Sequence, residues 1–291
     1  VLAGAYQHQT QPDYVAEKTA GGIAAEDVQR FTLADIRRGC LPQLMALHGN
    51  LCVVVDGESQ ADLNQFAQDL LTAVAQGKRF LLRSAASILT ALANLPPQPI
   101  AADHMRTYVR GGVPGAIIVG SHVKTTTQQL EQLLKEPGVT GIEVNVAPLR
   151  DGGPGAHQTL LADTLQRVEE IHGMDKVPVV YTSREELTFE TVSARLDFGI
   201  AVSSLLMDVI RGLPRDIGFL ISKGGITSND TLSTGLALKT ARLLGQILPG
   251  VSVVRTPTDH PQFPGLPVVL FPGNVGDRDA LATAYRRLVG T

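Results

Sequence analysis

The sequence has no tryptophan and only 4% aromatic residues, so rings on which nucleobases could stack are scarce. No basic block compensates, and the net charge is −3. Nucleic-acid binding, which needs a basic footprint, therefore has no support. The two cysteines, Cys40 and Cys52, are too few for a disulfide framework and lack metal-ligand spacing. Free thiols, buried or half-buried, are expected. The seven histidines are scattered, and no pair has zinc-site spacing. No apolar run approaches the roughly 20 residues of a membrane span, and no charged start followed by an apolar centre marks a secretory signal. A cytoplasmic protein that binds neither nucleic acid nor membrane is expected.

Several motifs are missing as well. No Gly-x-x-x-x-Gly-Lys-[Ser/Thr] run is present, so the phosphate loop of the P-loop enzymes is excluded by motif. No Gly-x-Gly-x-x-Gly opens a helix after a strand, which leaves dinucleotide binding unsupported. The absence of a Gly-x-Ser-x-Gly elbow argues against a hydrolase triad.

What is present is a repeated local pattern. The stretch Ile221-Ser222-Lys223-Gly224-Gly225-Ile226-Thr227-Ser228-Asn229-Asp230 follows a short apolar run and precedes leucines at helical spacing over 231–245. It reads as strand, glycine turn and helix start. Free backbone N–H groups at such a turn favour an anion. Its two glycines let a ligand approach the backbone and permit positive φ. The same order recurs twice. The strand 116–119 leads into Gly120-Ser121 and a helix over 127–135, and the strand 267–271 leads into Pro272-Gly273-Asn274-Val275-Gly276-Asp277 and a helix over 278–289. Ligands of open α/β sheets bind outside the carboxyl ends of the strands. A composite anion or nucleotide site is expected from Gly120, Ser121, Gly224, Gly225, Thr227, Ser228, Gly273, Asn274 and Gly276. No catalytic side chain and no protein metal ligand stands out.

With 291 residues and 44% hydrophobic content, two ordinary domains can each bury a core. A helix is expected from Thr32 to His48, and residues 51–55 form an apolar strand ending at Asp56. Ser59 and Asp62 then form a near capping box for a helix carrying Leu63, Phe66, Leu70 and Leu71. A further strand is expected over 79–82 and a helix over 84–95, giving a parallel sheet. The run around Pro96-Pro97-Gln98-Pro99 and Gly111-Gly112 is the best linker. The boundary is placed near 105, dividing the chain into 1–105 and 106–291. Beyond it, strands are expected over 141–146, 177–181 and 251–255, and helices over 158–172 and 188–213. The loop 151–155 contains three glycines and a proline. The expected class is α/β, with two domains of mostly parallel sheet flanked by helices and a Rossmann-like three-layer second domain.

These residues together resemble the four-carbon acid sugar kinases, which phosphorylate threonate- or erythronate-type acids, or their keto relatives, with ATP. The nucleotide-binding C-terminal domain of that family carries a Gly-Ser after its first strand, a Gly-Gly-acid-Thr-Ser turn and a Lys-Ser-Gly-Asn-Phe-Gly loop. Gly120-Ser121, Gly224-Gly225-Ile226-Thr227-Ser228 and Phe271-Pro272-Gly273-Asn274-Val275-Gly276 stand here in the same order. The strand ending at Asp56 looks like the end of the family's substrate-binding domain. The resemblance covers the chain from about residue 20 onward. It implies ATP and Mg²⁺ as cofactors and a nucleotide and a small acid sugar as ligands; a homodimer is compatible with the sequence, which does not fix the oligomer.

Two positions depart from the family. Ile226 replaces the acidic residue of the Gly-Gly turn, and Phe271-Pro272 replaces Lys-Ser. The family's Asp-Asp-x-Thr-Gly-type first loop has no counterpart here, so the chain is expected to supply mainly the ATP-binding part. A nucleotide- or phosphometabolite-binding module without turnover is the alternative.

Overall fold

The computed structural model describes residues 10–96, 98–151, 153, 155–184 and 187–290. The sequence expectations that fall on residues 1–9, Pro97, Gly152 and Pro154 lie outside them. Two compact units emerge, Val1–Pro97 and Gln98–Thr291.

The first unit is mostly helical. Helix α1 (Gln11–Lys18) is followed by strand β1 (Gln29–Phe31), α2 (Leu33–Arg38), α3 (Leu41–Ala46), β2 (Val53–Val55), α4 (Gln60–Ala75) and α5 (Ala86–Leu92). Strands β1 and β2 pair in parallel. The single helix expected over 32–48 is in fact α2 and α3. Pro42 stands in the first turn of α3, where its missing N–H costs nothing, whereas inside a continuous helix it would break a rung. The strand expected at 79–82 does not form, and Leu81 is 99% exposed. Its place as partner of β2 is taken by β1. The core gathers Phe31, Ile36, Leu44, Phe66 and Leu70 around Cys40. Burial pushes the Cys40 thiol up to about 12, so it is inert. Cys52 is also free.

The expected capping box opens α4. Ser59 Oγ accepts from the Asp62 backbone N–H, and Asp62 accepts from the Ser59 N–H. Asp62 also holds Arg37 at 2.8 Å. The Arg37 guanidinium keeps the Asp62 carboxyl far below the usual carboxylate range. A depressed carboxyl contributes stability above its unfolded value of 3.8, and that stability is lost as pH falls below it. Ser59→Ala should cost about 1 kcal/mol in denaturant unfolding at neutral pH. An unchanged midpoint would show that α4 does not need its cap.

The second unit opens with a 3₁₀ turn (Ala102–Tyr108) that buries Met105. Residues 98–108, read above as linker, thus belong to the packed structure of this unit. There follow β3 (Ala116–Val119), α6 (Lys124–Leu133), β4 (Val139–Val144), α7 (Pro148–Asp151), α8 (Ala156–Gly173), β5 (Val177–Thr182), α9 (Val192–Arg211), β6 (Leu220–Lys223) and α10 (Gly225–Asp230). A π-helical turn (Thr231–Gly235) extends α10. Strands β7 (Arg242–Leu248), β8 (Val251–Arg255) and β9 (Pro267–Phe271) and helix α11 (Ala280–Val289) complete it. One seven-stranded sheet results, in the order β4-β5-β3-β6-β9-β8-β7. Strand β8 pairs antiparallel with both β7 and β9, and the other pairings of this sheet are parallel.

The helix expected over 231–245 ends at the π turn instead. From Arg242 the chain is strand, with Leu244 and Ile247 buried, each at one of two register shifts against β8. Short leucine runs satisfy both periods, and pairing with β8 decides here.

The sheet is covered on both faces. Ile118, Ile142 and Val180 face α8 and α9, while Ile117, Val119 and Phe271 face α6 and α11. Successive residues of β3 thus serve opposite layers, as a buried parallel strand requires. The apolar face expected along α9 is only half covered. Leu205, Leu206, Val209 and Ile210 are buried, whereas Val192, Leu196 and Ile200 are exposed. Among the described residues no helix is long and apolar enough to cross a membrane.

Candidate functional site

Adjacent strands β3 and β6 send their following helices to opposite faces of the sheet. Helix α6 packs with α11, while the turn after β6 places Leu236 with α9. This is a topological switch point, the place outside the strand carboxyl ends where ligands of open α/β sheets bind. Strand β9 lies on the other side of β6, in parallel with it. The three glycine loops therefore leave the sheet side by side.

Backbone hydrogen bonds tie the loops together. The Lys223 carbonyl accepts from Gly120 N at 3.2 Å and Ser121 N at 3.4 Å, and Gly224 N donates to the Phe271 carbonyl at 2.8 Å. Gly224 has φ +129°. A Cβ there would lie 2.8 Å from Thr227 Oγ1 and 3.2 Å from Ser121 N. Gly273 lies so close to the first loop that a Cβ would meet Ser121 Oγ at 2.9 Å. Ser121 Oγ accepts from Thr126 Oγ1 at 3.1 Å, and the Thr126 hydroxyl also donates to the Gly273 carbonyl at 2.9 Å. Gln129 of α6 donates to the Val275 and Asp277 carbonyls at 2.9 and 2.7 Å, pinning the far side of the third loop.

The sequence-derived residues thus converge, with distinct placements. Gly225 is exposed, with nothing within 4 Å of the place a Cβ would take. The positive φ expected of the glycine pair belongs to Gly224 alone. Asn274 and Gly276 stand on the exposed rim. Thr227 and Ser228 are buried. Ser228 gives its hydroxyl to the Ser222 carbonyl at 2.9 Å, so it braces the turn from inside and is not turned to the open side.

Two cations went unnoticed in the sequence. Lys223, the last residue of β6, is fully buried, and its Nζ donates to the Pro272 carbonyl at 2.6 Å and the Gly273 carbonyl at 3.3 Å. The ammonium also stands over the Phe271 ring, 4.1 Å from its centre. Burial pushes Lys223 down to about 7. Arg184, just beyond β5, donates two N–H groups to the Ser121 carbonyl at 2.8 and 3.0 Å and Nε to the Thr182 carbonyl at 3.1 Å. Burial lowers it, with Glu143 opposing. A charged residue ending an apolar, buried strand was the one available signal for Lys223, because lysine is almost never fully buried without partners. Among the described residues no group of three or more His, Cys, Asp or Glu could hold a metal ion.

The arrangement is that of a Rossmann-like nucleotide-binding domain. Residues 116–281 match a family model described as a nucleotide-binding C-terminal domain, and residues 4–92 one described as a sugar-binding N-terminal domain. The chain belongs to the four-carbon acid sugar kinase family. No curated protein matches it.

Among solved structures it is similar to a Salmonella typhimurium LT2 protein named as a candidate tRNA synthase. Identity there is 18%, the TM-score is 0.57, and 89% of this chain aligns with 59% of that one. A domain of unknown function from Bordetella bronchiseptica, crystallised as a domain-swapped dimer with bound citrate, shares 20% identity at a TM-score of 0.49, over 94% of this chain and 61% of its own. The chain thus spans about three-fifths of the solved relatives it matches. The first likeness bears on the fold alone.

Proposed function

We propose that the second unit binds the phosphates of ATP across the loops after β3, β6 and β9, and that the protein is a kinase of the ATP-dependent kind acting on a four-carbon acid sugar of the threonate or erythronate type, or on its keto derivative. The observation that carries this reading is the convergence of the three loops at the switch point, with the open backbone of Gly225 facing outward. Backbone N–H groups at such a turn suit polyphosphate. Gly120, Ser121, Gly224, Gly225, Thr227, Ser228, Gly273, Asn274 and Gly276 form or brace this cradle. Phosphoryl transfer asks a protein mainly for positioning and charge stabilisation, which is what a rigid set of amides with two nearby cations offers. Among the described residues no cluster of carboxylates cages Mg²⁺, and the ion usually keeps phosphate oxygens and water as ligands.

A second reading, nucleotide binding without turnover, is favoured by particular residues. Ile226 is apolar and 65% exposed on the turn itself. In the first unit Asp56, the carboxylate that could serve as a base, is bound by Arg30 through Nε at 3.0 Å and Nη2 at 2.8 Å. Arg83, a candidate for holding the acid's carboxylate, donates to the Tyr14 hydroxyl at 2.7 Å.

Both readings predict binding. MgATP at about 100 times its Kd should raise the melting temperature by roughly 5 °C. In coupled assays with threonate and erythronate the kinase reading predicts ADP formation that depends on the acid, whereas binding without turnover predicts background. No thermal shift with MgATP would remove both.

A further inference from the structure

The cradle is built from amides and hydroxyls, and its third loop opens with Phe271-Pro272, which carry no charge. Lys223 comes up from the neighbouring strand into this place. In the sheet register it pairs with Phe271, its main chain carries the first loop, and its side chain carries the third. Thr126 also touches both loops, through its one hydroxyl, whereas Lys223 does so with main chain and side chain together. An ammonium has three donors, and two of them have carbonyl acceptors.

Resting on the nucleotide reading above, we propose that Lys223 is the positioning cation of the phosphate cradle: it sets the third loop against the first and supplies a buried positive charge beside the third loop, whose opening Phe271-Pro272 carries none. A buried lysine whose partners are neutral carbonyls and a ring face has a charge held only weakly. A phosphate on the cradle would hold it firmly, because a nearby opposite charge favours the ionised form.

The charged side chains on the adjoining segments leave the ammonium without a carboxylate. Asp230 of α10 is bonded by Ser203, Asp277 of the third loop accepts from the Asp279 N–H, and His122, Lys124 and Arg184 lie on or against the first loop. Burial alone governs Lys223.

The sign follows. Lys223 has an ordinary value of 10.5 and falls to about 7 in the folded chain. Below 7 it is charged before the nucleotide arrives. Above 7 binding must take up a proton, and affinity weakens as pH rises. The buried charge also burdens the fold fully below 7 and not at all above 10.5.

The test is calorimetric titration of the full chain with MgATP between pH 6 and 9, in paired buffers of different ionisation enthalpy. The unaltered protein should lose about tenfold in affinity between pH 6.5 and 8.5 relative to Lys223→Met, and should take up protons at pH 8 that the variant does not. The variant should bind about tenfold more weakly at pH 6.5 and melt no lower there, since Met matches the volume without burying a charge. A role in stability alone would give the opposite pattern. Parallel pH profiles with equal proton uptake would overturn the proposal. Phe271→Leu keeps the lysine and removes the ring, so it should move the midpoint to lower pH, and an unmoved midpoint would also count against it. If the unaltered chain shows no saturable MgATP binding at pH 6.5, the nucleotide reading itself fails, and this proposal fails with it.

Discussion

Gly224→Val is expected to lower nucleotide affinity by at least about 100-fold and to destabilise the second unit by about 2–4 kcal/mol. Both effects come from one backbone position. Gly224 stands at φ +129° and ψ 140°, a region that side-chain-bearing residues rarely enter. Its Cβ would press on Thr227 Oγ1 and on the Ser121 backbone, pushing the second loop off the first. The neighbouring Gly225 is the control. It has ordinary backbone angles and open space around the Cβ position. Gly225→Val should therefore leave unfolding within about 0.5 kcal/mol of the unaltered protein. It should still weaken nucleotide binding by roughly 1–3 kcal/mol, because the side chain would occupy the ground proposed for the phosphate. Calorimetric titration and denaturant unfolding on both variants separate the two contributions. Full affinity in Gly225→Val would show that this turn is not the cradle.

Arg184→Met should reduce nucleotide affinity by about 30- to 100-fold. The guanidinium bridges the Ser121 and Thr182 carbonyls, and so ties the first loop to the end of β5. Its removal leaves both carbonyls without their charged donor and takes a positive charge from beside the site. Arg184→Lys should restore little. A single ammonium cannot reproduce the planar fork that meets Ser121 with two N–H groups while Nε meets Thr182. If lysine restores affinity fully, charge alone matters and the bridge does not. Crystal structures of the two variants would show whether the Ser121 loop has moved.

The second domain was largely legible in the sequence. Strands β3, β8 and β9 fall where short β-branched runs end at glycine or proline. The three loops could be grouped because small polar residues follow each strand. What stayed hidden depended on partners far along the chain. The run 79–82 has the composition of a strand but pairs with neither β1 nor β2, which pair with each other. Leu243 and Leu244 suit a helix or a strand, and only β8 resolves them. The roles of Lys223 and Arg184 are set by carbonyls 49 and 63 residues away, distances over which no local pattern speaks. Val192, Leu196 and Ile200 obey the helical period yet stand exposed. Periodicity shows which side of a helix is apolar but not how far along it the cover extends.

The strand order also sets the sequence of events as the chain folds. Strand β6 can join β3 as soon as it is made, but its other edge stays open until β9 arrives, since β7 and β8 come first and lie farther out. At an elongation rate of about 5–20 residues per second, an unpaired edge persists for seconds on the ribosome. Long-range parallel pairing is slow in any case. The last link of the cradle, Gly224 to Phe271, closes only when β9 docks. Nucleotide binding would therefore appear late and all at once, and a bound nucleotide would hold shut the same seam through which the sheet could otherwise open and aggregate.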